Sequence, residues 1–177
     1  MTEDITVNSS TTYPIALMAL ASLTAFGMSP TLRGEDHPRS HYSAAMHGVI
    51  NATSQGEATF GAVPPAGQAP AVFSLELGAY SEQGSVLFTM KDGSRPTAGT
   101  YHVSDDRDAV HALIVTGAPS KPTGVFHANS GTLTITSSTA TSITGSFVLD
   151  ATGFLADSPD DEGRAMDVTG DFMADGK

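Results

Sequence analysis

Thirteen residues, EDHPRSHYSAAMH, bring Glu35, Asp36, His37, His41 and His47 into one short stretch, and these are the residue types that bind divalent metals. On a helix, His37 and His41 would share a face at i, i+4, the spacing of paired zinc-binding histidines. Pro38 lies between them and disfavours helical geometry at His37, so the stretch reads as a loop and that face is not secured. A polar surface linker is the expectation, with no metal assigned. Two acidic runs raise the same question. SDDRDAVH carries Asp105, Asp106, Asp108 and His111, and DSPDDEG carries Asp157, Asp160, Asp161 and Glu162. Clustered carboxylates suit hard cations, but neither run has the Asp-x-[Asp/Asn]-x-[Asp/Asn]-Gly order of a calcium loop. Solvated turns are expected at both, with weak cation binding at Asp157, Asp160 and Asp161 as the alternative.

Covalent catalysis has no better signature. Serines abound, yet none sits in a Gly-x-Ser-x-Gly elbow or another known nucleophile context. His102, His111 and His127 each fall within an expected strand, where a histidine is more often a half-exposed pairing residue than a general base. GSRPTAG lacks the Gly-Lys-[Ser/Thr] ending of a phosphate loop. Cysteine is absent, which removes disulfides, thiolate zinc sites, iron–sulfur clusters and cysteine nucleophiles. No catalytic, cofactor-binding or metal-binding residue is nominated. Eight Lys and Arg stand against nineteen Asp and Glu, a net charge of −11. Such a surface repels phosphate backbones and anionic headgroups, so no nucleic-acid partner is expected and acidic membrane is a poor one.

The elements that would position any site fall into two parts, and 177 residues suit one domain with an appendage. Residues 1–42 form an N-terminal arm. Its apolar stretch, YPIALMALASLTAFGMSP, predicts a helix over about residues 13–27. Ser10, Thr11 or Thr12 can cap it, Pro14 suits its first turn, Gly27 can end it and Pro30 stops it. The apolar run from Ile15 to Met28 is shorter than the roughly 20 residues a bilayer span needs. A secretory signal carries positive charge before its apolar core, whereas MTEDITVNSS is acidic and the first basic residue is Arg33. The expectation is a retained helix covered by partner protein, by lipid or by its own domain. SPTLRGEDHPRSHY then forms a polar linker.

From about Ser43 to residue 177 the period becomes that of strands. GTLTITS sends Leu133 and Ile135 one way and Thr132, Thr134 and Thr136 the other. AVFSLELG sets Phe73, Leu75 and Leu77 against Val72, Ser74 and Glu76. About ten such short runs, bounded by Gly, Pro, Asp or Ser, predict an all-β domain, an antiparallel β-sandwich or a barrel, with the sandwich preferred. ITGSFVLD (143–150) and VTGDFMAD (168–175) share the pattern [Ile/Val]-Thr-Gly-x-Phe-x-x-Asp. Gly145 and Gly170 are expected at bulges or close backbone approaches, with Phe147 and Phe172 as core anchors.

SGTLTITSSTATSITGSFVLDATG followed by MDVTGDF resembles the ending of many small, uncharacterised bacterial extracytoplasmic β-proteins, and GEATF and PTAGTYHV fit the earlier part of their pattern. The resemblance covers about residues 43–174. It implies a β-sandwich, no enzyme activity and a place in the bacterial envelope, on the periplasmic face of a membrane. A few proteins of this kind resemble peripheral subunits of large membrane assemblies, photosynthetic reaction-centre–light-harvesting complexes among them. The family's usual lipid-modified cysteine has no counterpart here, and the apolar helix is expected to substitute for it.

The resulting expectation is a non-enzymatic accessory or structural subunit of a larger membrane-associated complex, cofactor-free and docked through its arm. Leu17, Leu20, Leu23 and Phe26 are the expected contacts, because apolar anchors carry most interface energy. Three rivals stand beside it. One is a β-barrel holding a small apolar molecule, in a cavity not filled by Phe60, Phe73, Phe88 or Phe147. The others are a self-assembling fibre or shell subunit and a hydrolase using a loop histidine with a carboxylate.

Overall fold

Apolar residues at every second position give the second half of the chain its strands, since alternate side chains in a strand leave on opposite faces. The computed structural model describes residues 40–177 apart from positions 68, 80, 82, 92, 107, 119 and 160–162. The chain divides into two units, Met1–Glu35 and Asp36–Lys177, and the second is described below. The expected helix with Leu17, Leu20, Leu23 and Phe26 lies outside the described residues, as do His37, Asp160 and Asp161.

Ten strands follow one another: β1 (His41–Gly48), β2 (Ala52–Gly56), β3 (Ala58–Val63), β4 (Val72–Leu77), β5 (Gly84–Lys91), β6 (Gly99–Ser104), β7 (His111–Ala118), β8 (Lys121–Ser138), β9 (Ser142–Leu155) and β10 (Arg164–Gly176). The body is all-β, as expected, and among the described residues there is no helix. All ten strands belong to one large sheet, antiparallel except where β10 meets β3. Its pairings return on themselves: β10 to β3, β4, β5, β7, β8, β9 and back to β10. The joint between β10 and β3 is short, with Asp175 beside Thr59 and Gly176 beside Phe60, and Lys177 N–H donates to Phe60 C=O at 3.0 Å. Outside this circuit, β1 pairs with β10 and carries β2, while β6 pairs with β8.

Not all the strands are short. β8, β9 and β10 run for 18, 14 and 13 residues. Asn129-Ser130-Gly131, which punctuates the sequence like a turn, is absorbed into β8 as a bulge between Ala128 and Ser130. Before the bulge the buried residues of β8 are even-numbered, Phe126 and Ala128; after it they are odd-numbered, Leu133 and Ile135. One extra residue therefore keeps the apolar face inward while β8 changes neighbour from β7 to β6.

The core is made of the inward set from nearly every strand, with Met46, Leu77, Val86, Phe88, Ile114, Phe126, Leu133, Ile143 and Leu149 almost completely buried. Burying each large apolar side chain contributes about 1.5–3 kcal/mol. Phe60 stacks on Phe73 at 5.8 Å between ring centroids, and Phe88 meets Phe147 edge-on at 5.4 Å. The two copies of the repeated pattern pair antiparallel, so that Gly145 faces Phe172 and Phe147 faces Gly170. A Cβ at Gly145 would lie 2.2 Å from Thr134 O and 2.8 Å from the Phe172 ring, and one at Gly170 would lie 2.6 Å from the Phe147 ring. Both glycines are the close approaches expected of them, and both phenylalanines are core anchors.

One buried polar cluster ties three strands together. The Tyr42 hydroxyl on β1 bonds Ser54 on β2 and donates to Gly84 C=O on β5 at 2.7 Å; Ser54 Oγ also lies 2.9 Å from that carbonyl. Gly78, at φ +72°, sits against the Tyr42 ring where no side chain would fit.

Candidate functional site

The residues that could do chemistry are placed apart. His41 and His47 are both exposed on β1, across from Met173 and Asp167. His102 stands on β6 across from Thr132, His111 on β7 across from Thr89, and His127 on β8 between Leu113 and Thr152. Among the described residues, no group of three or more His, Asp or Glu could hold a metal ion. Asp108 is engaged with Lys91 at 2.6 Å on an exposed turn, and Asp106 N–H donates to Ser104 Oγ at 3.1 Å. Asp157 is exposed, and its expected companions Asp160 and Asp161 fall outside the described residues. The nearest approach to an acid–base row is His47, Asp167 and Asp150, in register across β1, β10 and β9. Ser130 Oγ donates to Asp150 at 2.7 Å, and all three members of the row are exposed. This is solvated sheet surface, where a carboxylate beside an imidazole has no wall to hold a substrate against it.

The outer faces carry more information than these groups. The strands β2, β1, β10, β9, β8 and β6 lie side by side and present one broad polar face. A row of it runs Gln55, Ser43, Asp171, Ser146, Thr134, Thr100, and the next runs Thr53, Ala45, Thr169, Val148, Thr132, His102. Asp150, Asp167, Asp171 and Asp175 stand on the same side without an interleaved lysine or arginine. Two copies of this face would repel each other.

The strands with a single partner are β2 and β6, and both are guarded. Ser81 Oγ donates to Gln55 C=O at 3.2 Å along the outer edge of β2. Val110 folds back on β6, donating to His102 C=O and accepting from Ser104 N–H, both at 3.1 Å. Short, covered edges of this kind block strand addition by another chain.

The opposite side is different in character. Leu87, Leu113, Val115, Val125 and Phe154 occupy the outward positions of β5, β7, β8 and β9. Register sets Leu87 beside Leu113, and Val115 beside Val125 and Phe154. Their strand neighbours Val86, Phe88, Ala112, Ile114 and Phe126 fill the core, so this row is a second apolar surface facing away from it. Sequence patterning had passed over the row. Its signal is the unbroken apolar runs Val86-Leu87-Phe88 and Leu113-Ile114-Val115, which mark strands apolar on both faces.

No family model, curated protein or solved structure matches the chain.

The arrangement combines three surface features. It has one acidic polar face, one outward apolar row, and a β3–β4 connection, Pro64–Ala71, whose described residues are almost all exposed.

Proposed function

We propose that the chain is a non-enzymatic accessory or structural subunit that docks on a larger membrane-associated assembly, with residues 1–42 as the docking arm and the β body as spacer or clamp. The observation that carries this reading is the outward row Leu87, Leu113, Val115, Val125 and Phe154. Five adjoining, half-buried apolar side chains on the outside of a sheet whose inside is already packed support the reading of a surface that meets another protein. The filled interior supports the same reading over a ligand-holding barrel, because Phe60, Phe73, Phe88 and Phe147 occupy the space between strands themselves. The guarded edges and the acidic face weigh against a self-assembling fibre.

In its finer architecture the body is a barrel flattened into two layers, the form that a closed pairing circuit with close-approach glycines on β9 and β10 favours. The bacterial envelope, on the periplasmic side, is the proposed location. A photosynthetic complex is one candidate partner; both rest on the resemblance of the C-terminal strands.

Gentle detergent extraction of the native source, followed by size-exclusion chromatography of the full-length chain, tests the reading. The chain is expected to elute with a large complex. The Leu20→Asp/Leu23→Asp and Val115→Asp variants should shift it toward free protein. Elution of the native chain as a free monomer would overturn the proposal.

A further inference from the structure

The outward row Leu87, Leu113, Val115, Val125 and Phe154 differs from the acidic face in charge as well as in polarity. The chain carries a net charge of −11, and Asp150, Asp167 and Asp171 stand exposed on the face built on β9 and β10. Across β3, β4, β5, β7, β8 and β9, the two register rows that hold the apolar residues contain one carboxylate, Glu76, and Lys177 bonds it at 2.6 Å. The remaining positions of those rows are Thr59, Ser85, His127 and Thr152, none of them anionic. Farther along β5, Lys91 is matched in the same way by Asp108 at 2.6 Å. On a strongly acidic chain, this side brings no unpaired carboxylate to a contact.

We propose that this row is the contact of a closed, back-to-back dimer, with a second copy of the chain as its occupant. The inference deepens the accessory-subunit reading by naming what the row meets, and it rests on that reading for the row being a contact surface. Two chains of charge −11 repel each other in most orientations, and least where neither brings an unpaired carboxylate. Setting row against row meets that condition and leaves Asp167 and Asp171 of both copies on the outer sides of the pair. The size is also sufficient. Six adjoining strands at about 4.8 Å and three rows at roughly 7 Å give a patch of about 600 Å² per copy, or about 1,200 Å² in all, the lower end of specific interfaces. Leucine, valine and phenylalanine projecting from two sheets interdigitate at a layer spacing of about 10 Å, as they do inside a sandwich. A contact made by the same patch on both copies closes at two, in keeping with the guarded edges of β2 and β6. The arms then meet the assembly as a pair, and a variant that parts the copies docks more weakly for want of the second attachment. A lipid surface is the poorer fit. The two rows hold no Trp or Tyr to anchor at a headgroup layer, and the net charge opposes approach to anionic lipid.

Sedimentation equilibrium of the purified full-length chain in mild detergent, joined with cysteine crosslinking, tests the proposal. The native chain should sediment at twice its 18.2 kDa mass. Val115→Asp should raise the dimer dissociation constant on the order of a hundredfold, because each copy would bury an unpaired charge. Val148→Asp, on the acidic face, should leave it unchanged. The chain has no cysteine of its own, so Val115→Cys and Val148→Cys report the contact without adding charge. Under a bis-maleimide the first should give a covalent dimer and the second should stay single. A monomeric native chain, a Val115→Asp variant that pairs as tightly as the native one, or equal crosslinking at the two positions would each overturn the dimer. If a monomeric chain still elutes from the native extract with a large complex, the accessory reading stands and a different protein meets the row. If the chain is dimeric and elutes as a dimer alone, the dimer stands and the accessory reading falls.

Discussion

The ring of Phe147 lies on the bare backbone of Gly170, directly across the β9–β10 ladder, and two positions along that ladder the relation recurs with Phe172 on Gly145. The two copies of [Ile/Val]-Thr-Gly-x-Phe thus form a local two-fold arrangement centred on the Ser146–Asp171 pair. Each phenylalanine occupies the space that the other copy's missing side chain leaves.

Gly170→Ala should therefore destabilise the body by about 3 kcal/mol, the upper end for overpacking, in urea unfolding. The new methyl would stand 2.4 Å from Ser43 O as well as against the ring. Phe147→Ala alone should cost about 3–5 kcal/mol. In the double variant the two losses should fall short of additivity by about 1 kcal/mol, since the ring is one of the two obstacles. Strict additivity would show that the ring does not press on Gly170.

Deleting Asn129 should be far worse than replacing it. Without the extra residue, either Phe126 and Ala128 or Leu133 and Ile135 must turn outward, and one half of β8 loses its core face. The deletion should leave no cooperative unfolding transition, whereas Asn129→Ala removes only its two exposed hydrogen bonds with Thr152 and should change stability by less than about 1 kcal/mol. A deletion variant with a normal transition would refute the parity argument.

Tyr42→Phe should cost about 1–2 kcal/mol, because it removes the buried hydroxyl that bonds Ser54 and the Gly84 carbonyl. The value stays modest because Ser54 Oγ still reaches that carbonyl. Gly78→Ala should cost more than Tyr42→Phe, since it meets both an unfavourable φ and the tyrosine ring. The reverse order in thermal unfolding would mean that this corner relaxes freely.

Val148 and Leu149 are neighbours with opposite fates, one 54% exposed and the other fully buried. Val148→Thr should alter stability by no more than about 0.5 kcal/mol, while Leu149→Ala should cost about 2–5 kcal/mol. Comparable losses at both positions would place β9 in another register.

Glu76 and Lys177 bond at 2.6 Å next to the β10–β3 joint, with side chains about a third exposed. Glu76→Gln should cost less than about 1 kcal/mol at low salt, and the difference should shrink at 1 M salt. A large, salt-insensitive loss would mean that this ion pair locks the joint.

The all-β class was legible in the sequence because alternation was clean where one face is buried, as in Leu133 and Ile135 against Thr132, Thr134 and Thr136. The glycine–phenylalanine pattern also pointed to close approach. Strand lengths were not legible, because Asn129-Ser130-Gly131 carries the same residues whether a chain turns or bulges, and only the partner strand decides. The outward apolar row was missed for a related reason. A run such as Leu113-Ile114-Val115 satisfies a core strand so well that its second apolar face draws no notice. Scattered histidines and carboxylates suggested chemistry that strand register then separated.

Strand β10 has a further consequence, for the chain as it is made. It is the last of the ten in chain order, yet β1, β3 and β9 all pair with it, β1 through positions as distant as 41 and 173. A nascent chain emerging at about 5–20 residues per second holds three open strand edges until this one segment leaves the ribosome. Completion of the body is thus a release event, and any pause in translation before residue 164 leaves a sheet that can recruit the wrong strand.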